Sequence, residues 1–511
     1  MTMTEWFIFF IVIQVIHFLG TWKLYEKAGR KWWEALIPIY NGIILMKIIK
    51  RPFWWIILLF IPIINLLMFP VIWVETVKSF GKVSRLDSIL AVLTLGLYTF
   101  VLNYSKDNAY NGERDLKSKT ELGEWVSSIV FAVIAATIVH TYIMQPYTIP
   151  TSSLEKSLLI GDFLFVSKFH YGARTPMTTI AAPMVHDSLP FTKTRSYFKK
   201  PQLPYFRIPG FQKIKRNEIV VFSWPTDTVR FFFDKSNIHV DKPIDKKSNY
   251  VKRCVGIAGD SLEIKDGYIY INGDLSILPD RAKIQYTHKV VTTAALSAST
   301  LARYNVTEGG YYSDFYILNL TDENALKLKS NPLVKSITKE ISPKGEYNAS
   351  VFPHNEQFAW SADNFGPIYI PEAGKTVALN AQSIPFYKRI IEEYEKNNLT
   401  INGNDIFING KLETTYTFKQ DYYWMMGDNR HNSEDARYWG FVPFDHVVGK
   451  PVFIWFSWNT SGQGIANKVR WERLFTTVHG TGTPVSYFYY FIGVLALWFG
   501  YSIYRKRKNA E

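Results

Sequence analysis

Apolar residues gather at the two ends of the chain and polar residues in its middle. Glu5–Thr21 is an apolar run of about 17 residues, the short end of what crosses a bilayer as a helix. It has no basic lead-in and no small-x-small site behind it, so it reads as an uncleaved anchor. Trp32–Ile49 is apolar but carries Glu34, Pro38 and Asn41, and is expected to re-enter rather than cross. Phe53–Val77 reads as a span kinked at Pro62 and Pro70. Asp87–Tyr104 is a further candidate, and Ser105–Gly123 is a polar linker. Trp125–Met144 is an unbroken apolar run of about 20 residues. The far end mirrors this: Ser486–Tyr504 is apolar and aromatic, and Arg505–Lys508 is wholly basic. Such a tail is expected to stay in the cytoplasm, which puts the domain between the last two spans on the opposite face.

Four regions follow from this pattern. They are a multi-span N-terminal membrane region with a cytoplasmic linker (1–123), an anchor (124–146), a large extracytoplasmic domain (147–484), and a C-terminal transmembrane helix with its basic tail (485–511). Within the large domain the runs are β-like. Phe163–Phe169, Glu218–Trp224, Ser261–Asn272 and Val447–Trp458 are rich in Val, Ile, Phe and Tyr and bounded by Gly, Pro and Asp. Glu263–Gly273 (EIKDGYIYING) and Thr400–Gly410 (TINGNDIFING) echo each other, and both read as hairpins carrying an Asn-Gly turn. The block between them, 274–399, is polar and less patterned, with one amphipathic helix at Ile384–Lys396, and reads as an insertion.

Charge and composition refine this without changing it. The net charge of +14 comes largely from Lys and Arg flanking apolar runs, which fits a membrane surface rather than nucleic acid. The 16 Trp and 31 Tyr suit bilayer interfaces. A single cysteine, Cys254, excludes an intrachain disulfide and a cysteine metal site. No nucleotide loop or metal-ligand cluster stands out, so no cofactor is implied.

Candidate chemistry lies where the apolar run Trp125–Met144 ends. Gln145–Gly172 reads QPYTIPTSSLEKSLLIGDFLFVSKFHYG. Pro146 and Pro150 keep its first residues extended, and a hydroxyl cluster, Thr151, Ser152 and Ser153, follows. Most such clusters are ordinary polar exits from a span; the alternative is a nucleophile working at the bilayer surface. Lys252 lies in a β-run, YVKRCVGIAGD. A lysine there either snorkels to solvent or is buried, in which case desolvation lowers its pKa and leaves a neutral amine. A neutral amine beside a serine hydroxyl is a general base. Gly427–Pro443, GDNRHNSEDARYWGFVP, is a dense polar loop in which Asp435 and Arg437 are spaced to pair.

These segments and Arg216–Pro225 (RNEIVVFSWP), in this order after a span, resemble the bacterial type I signal peptidases. The resemblance implies a mainly β catalytic domain of the signal-peptidase-like β-fold, here with an inserted α/β subdomain, and α-helical transmembrane segments at both ends. By motif position it implies Ser153 as nucleophile, Lys252 as general base, Ser433 as the hydroxyl that orients the lysine, and Thr151 as an oxyanion donor beside the Ser153 N–H. Asp435 and Arg437 match a structural pair near the site, and Tyr147, Ile149 and Val251 match small apolar substrate pockets. The implied activity is a membrane-bound serine endopeptidase that removes N-terminal signal peptides after A-x-A-like sites, on the outer face of the bacterial inner membrane. The implied partners are preprotein signal peptides, the lipid bilayer and the secretion translocon. Leu154, Glu155 and Lys156 depart from the family pattern, which usually has Met after the serine.

Three other readings compete. Ser153-Leu154-Glu155-Lys156 is S-x-x-K, as in penicillin-binding proteins, but the companion S-D-N and K-T-G motifs are missing. A His-based triad would draw on His170, His431 or His446, without a nucleophile-elbow pattern. A non-catalytic scaffold that binds exported proteins would have no need of Ser153, Lys252 and Ser433 together.

Overall fold

A computed structural model describes residues 2–509 apart from 117–119, 193, 232–233, 235, 237, 461 and 463. The chain divides into two compact units, one of 1–143 with 174–208 and 228–248, the other of 144–173, 209–227 and 249–511.

The first unit is mainly helical. Two helices in the chain are long and apolar enough to cross a membrane, Met3–Lys27 in this unit and Glu121–Ile143 at its end. Trp32–Ile49 becomes a short turn and a nine-residue helix, Tyr40–Ile48, too short to cross. Phe53–Val77 is not one kinked span. It breaks into Trp55–Leu58 and Ile64–Ser79 around Ile63 (φ 70°), while Pro70 is tolerated inside the second piece. Asp87–Tyr104 is likewise two helices, Arg85–Leu93 and Tyr98–Tyr104, bent by 116°. Pro62, which has no N–H to donate, stands in the first break, and buried polar groups elsewhere in the unit find partners. Glu75 is held by Arg51 at 2.8 Å and Arg114 at 2.6 Å. Arg114 belongs to the expected linker, so that segment is docked: Tyr110 also donates to the Ile48 carbonyl at 2.8 Å. Linker residues 117–119 lie outside the described ones.

The second unit is built on an eight-stranded antiparallel sheet. Its main strands are β1 (Met144–Thr148), β2 (Asp162–Ser167), β3 (Ile219–Ser223), β4 (Asn249–Gly256), β5 (Tyr422–Met426) and β6 (Val447–Ser457). They lie in the order β1-β2-β6-β3-β4-β5. The sheet is buried on both faces. Ile219 and Val221 pack with Ile149, Leu154 and Ile454, while Val220 and Phe222 pack with Cys254, Met425 and Trp439. Alternation along one strand thus feeds two cores.

The two echoed segments are both meanders. Ser261–Lys265 and Tyr268–Ile271 pair, as do Leu399–Asn402 and Asp405–Ile408. In each, the Asn-Gly that follows (Asn272-Gly273, Asn409-Gly410) has positive φ at both residues, the conformation a tight hairpin turn requires. Of the block 274–399 read as an insertion, 286–339 is a separate α/β subdomain. It has four strands, two helices and a core of Val290, Tyr316, Leu318, Leu320 and Leu328. The remainder returns to the main body. Phe365–Tyr369 pairs with Ser261–Lys265, and Ile384, Tyr387 and Ile390 pack around Trp424.

Ser486–Tyr504 folds as part of the helix Phe488–Lys508, which buries none of its residues. It is not among the helices apolar enough to cross. Tyrosines at 489, 490, 501 and 504 and the basic residues 505–508 hold its hydropathy down. Tyr205, Phe206, Ile208 and Phe211 are exposed rather than core.

Candidate active site

The hydroxyl cluster sits in a turn pinned at both ends. Ile149 exchanges backbone hydrogen bonds with Asp162 and Gly161, at 2.9 Å each. Pro150 then ends the pairing, because it has no N–H. Residues 152–158 close on themselves: Glu155 N donates to Ser152 O at 2.9 Å and Leu158 N to Leu154 O at 2.7 Å. Leu154 and Leu158 are buried in the same cluster as Ile149, which leaves Ser153 held between apolar anchors. The turn does not start a helix, as an S-x-x-K nucleophile site would. Thr151 opens it, half-buried. Among the described residues the backbone N–H of Ser153 meets no acceptor.

Lys252 lies on β4, between β3 and β5, and is 2% exposed. Its Nζ donates to Ser153 Oγ at 2.6 Å. Burial pushes its pKa down to about 8, while the charges of Asp435 and Glu434 pull the other way. Lys156 points elsewhere, toward Asn305 Oδ1 at 3.4 Å. Among the described residues no histidine bonds to Ser153. His431 accepts from Thr287 N at 3.0 Å and pairs with Asp363 at 2.8 Å, a structural tie.

The polar loop 427–437 closes over the turn. Asn429 N donates to Ser153 O at 3.1 Å, Asn429 Nδ2 to Ser152 O at 3.2 Å, and Asn432 Nδ2 to Ser152 Oγ at 3.0 Å. Asp435 and Arg437 form the expected pair, Nε to Oδ1 at 2.8 Å and Nη2 to Oδ2 at 2.9 Å, both fully buried. Burial works against the Asp435 carboxylate, yet Arg437 and the Gly427 N–H hold its pKa below the usual range. Ser433 is different from expectation. Its hydroxyl is buried without a partner and makes no hydrogen bond to Lys252, whose amine is taken up by Ser153. Ser433 packs against Gly427, where a Cβ would come within 2.2 Å of its Oγ.

Tyr147, Ile149 and Val251 share one apolar cluster. A second buried ion pair escaped sequence reasoning. Arg253 grips Asp428 through Nε (2.7 Å) and Nη2 (2.5 Å), and Asp428 also accepts from Ser157 at 2.5 Å. It ties β4, the polar loop and the hydroxyl turn together. The adjacency of Arg253 to Lys252 and of Asp428 to Gly427 was the available signal.

Comparison with known proteins assigns the chain to a family. Residues 122–313 and 369–458 match the family described as signal peptidase, peptidase S26. The chain belongs to that family. It is an enzyme of the signal peptidase kind, on a mainly β fold with two helices fit to span a membrane. Residues 33–113 match a family of unknown function, DUF5684. Signal peptidase I of Buchnera aphidicola subsp. Acyrthosiphon pisum is 27% identical over 361 residues, covering 70% of this chain and 82% of the relative. Signal peptidase I of Rickettsia massiliae is 24% identical over 380 residues, covering 71% and 96%. The family match breaks off between 313 and 369, across the later part of the α/β subdomain.

Proposed function

We propose that this signal peptidase is a membrane-bound serine endopeptidase in which Ser153 is the nucleophile and Lys252 the general base. The observation that carries the reading is the 2.6 Å contact between a buried lysine amine and a serine hydroxyl. With the amine neutral, that contact reverses and the hydroxyl donates to nitrogen. Ser153 Oγ then attacks the scissile carbonyl and its proton passes to Lys252 Nζ. The free Ser153 N–H and the Thr151 hydroxyl stabilise the oxyanion, each such donor contributing roughly 3–4 kcal/mol. Collapse breaks the C–N bond, and Lys252 returns the proton to the departing amine of the mature chain. Lys252 next takes a proton from water, which hydrolyses the ester and frees the signal peptide as a carboxylate. The buried, unpaired Ser433 hydroxyl is suited to steady Lys252 once the amine turns from Ser153. Asp435 and Arg437 stiffen the loop that carries it.

The cluster of Tyr147, Ile149 and Val251 suits small side chains one and three positions before the cut, as in A-x-A-like sites. In sequence the helix Glu121–Ile143 leads directly into β1, which supports a substrate whose apolar segment lies in the bilayer. We place the catalytic unit on the outer face of the bacterial inner membrane, with preproteins, the lipid bilayer and the secretion translocon as partners. The test is cleavage of a preprotein with an A-x-A site by the full-length protein in detergent, alongside Ser153→Ala. The reading requires cleavage after the second alanine and its loss in the variant. Cleavage by Ser153→Ala would refute it.

A further inference from the structure

The inserted α/β subdomain reaches the hydroxyl turn through one short loop, 305–308, between the helix Ala298–Arg303 and the strand Gly309–Tyr312. Asn305 receives Lys156, Thr307 is a side-chain hydrogen-bonding partner of Glu155, and Glu308 meets the loop that covers Ser152 and Ser153. Two of the residues that depart from the family pattern beside Ser153, Glu155 and Lys156, are therefore the ones this loop holds.

Glu308 is the centre of the contact. Its Oε2 accepts from Asn429 Nδ2 at 2.5 Å and from Asn319 Nδ2 at 3.0 Å, and Asn432 Nδ2 lies 3.4 Å from both oxygens. Asn319 stands on the strand Phe315–Leu320 and is itself held by Thr287 Oγ1 at 2.9 Å, so the carboxylate is anchored in the subdomain's sheet. Beyond Glu308, the same two amides hold the carbonyl and hydroxyl of Ser152, and the Asn429 N–H holds the carbonyl of Ser153.

The orientation of the Asn429 amide follows from this. Its Nδ2 faces two acceptors, Glu308 and the Ser152 carbonyl, while its Oδ1 is buried without a partner. The flipped amide would set oxygen against a carboxylate and a carbonyl. A charged acceptor strengthens the bonds it receives and decides between the two orientations. We propose that Glu308 is a positioning residue for the nucleophile: through Asn429 and Asn432 it fixes the backbone of Ser152 and Ser153, making the inserted subdomain part of the catalytic apparatus. The inference rests on Ser153 being the nucleophile. Small displacements of a reacting group cost rate rather than binding, on the order of 10²-fold for about 1 Å.

The test compares kcat and KM of full-length wild type, Glu308→Ala and Glu308→Gln on a preprotein with an A-x-A site, with melting temperatures of each. Glu308→Ala is expected to lose about 10-fold or more in kcat with KM within about twofold and melting unchanged. Glu308→Gln keeps an acceptor for Asn429 and is expected to recover to within about threefold of wild type. Glu308→Ala combined with Asn432→Ala is expected to be less than additive, since both act on one contact. Asn319→Ala removes the anchor from the far side and gives the same kcat signature, which decides the matter should Glu308→Ala not fold. Wild-type kcat in whichever of these alanine variants folds, a loss confined to KM, or a Gln variant as impaired as Ala overturns the proposal. Ser153→Ala in the same series separates the two readings. If it still cleaves, the nucleophile assignment fails; if it is inactive while the Glu308 variants match wild type, only this inference fails.

Discussion

Lys252 Nζ lies 2.6 Å from Ser153 Oγ, although the two residues are 99 positions apart and on different elements. Lys156, three residues from Ser153, makes its contact with the inserted subdomain instead. Lys252→Ala is therefore expected to lower kcat by about 10²–10⁴-fold, the usual worth of a general base. Lys156→Ala is expected to keep most of the activity. Single-turnover cleavage of a preprotein measures both, and the opposite ranking would remove Lys252 from the mechanism.

The pH profile follows from the same amine. An amine acts as a base only when neutral, and burial brings the pKa of Lys252, the proposed base, to about 8. Activity should rise with pH through that value and level off above it. The Glu434 charge favours the protonated amine, so Glu434→Gln should move the midpoint to lower pH. Profiles of kcat/KM for the two proteins test this, and a midpoint shifted upward would contradict it.

Gly427 has no room for a side chain. A Cβ there would lie 2.2 Å from Ser433 Oγ and 2.6 Å from the Ser153 carbonyl oxygen. Gly427→Ala is expected to destabilise by roughly 1–3 kcal/mol, as overpacking does, and to lose activity beyond that because one displaced atom is the carbonyl oxygen of Ser153, the proposed nucleophile. Unfolding and cleavage assays on one preparation separate the two effects.

Asp428 is fully buried and is the carboxylate that balances Arg253. Asp428→Ala leaves a buried guanidinium unpaired, which costs roughly 3–5 kcal/mol. Chemical denaturation in detergent should register a loss of that order. No change would mean that the pair does not hold β4 to the loop.

The proposed orientation is open to direct labelling, because the native cysteine, Cys254, is fully buried. Ser299→Cys, exposed on the catalytic unit, should react with a membrane-impermeant maleimide from outside the inner membrane. Labelling of Ser299→Cys only after permeabilisation would reverse the placement of the catalytic unit.

Much of the site was legible because it is written in local runs. The two prolines before Thr151, the lysine inside YVKRCVGIAGD and the Asp435–Arg437 spacing each follow from a few neighbouring residues. The Asn-Gly turns were equally plain, since positive φ at two successive residues selects those types. The break at Ile63 was legible only as a kink at Pro62, because how far the chain turns there depends on what packs around it. The limits of the inserted subdomain were hidden for a similar reason: Phe365–Tyr369 declares itself a strand of the main body only by pairing with Ser261–Lys265.

By itself, the sequence determined the apolar ends, the β-rich middle, and the order of a hydroxyl cluster, a strand lysine and a polar loop. Periodicity and composition act over a few residues, and those features need nothing more. Only the tertiary structure decided that Lys252 is buried against Ser153, that Ser433 stands unpaired, that His431 is a tie to Asp363, and that Glu155 and Lys156 serve the inserted subdomain. Each of these is set by groups distant along the chain; Ser157 and Asp428, 271 residues apart, share one hydrogen bond. Burial and hydrogen-bond partners come into being when strands from both ends of the domain meet in one sheet.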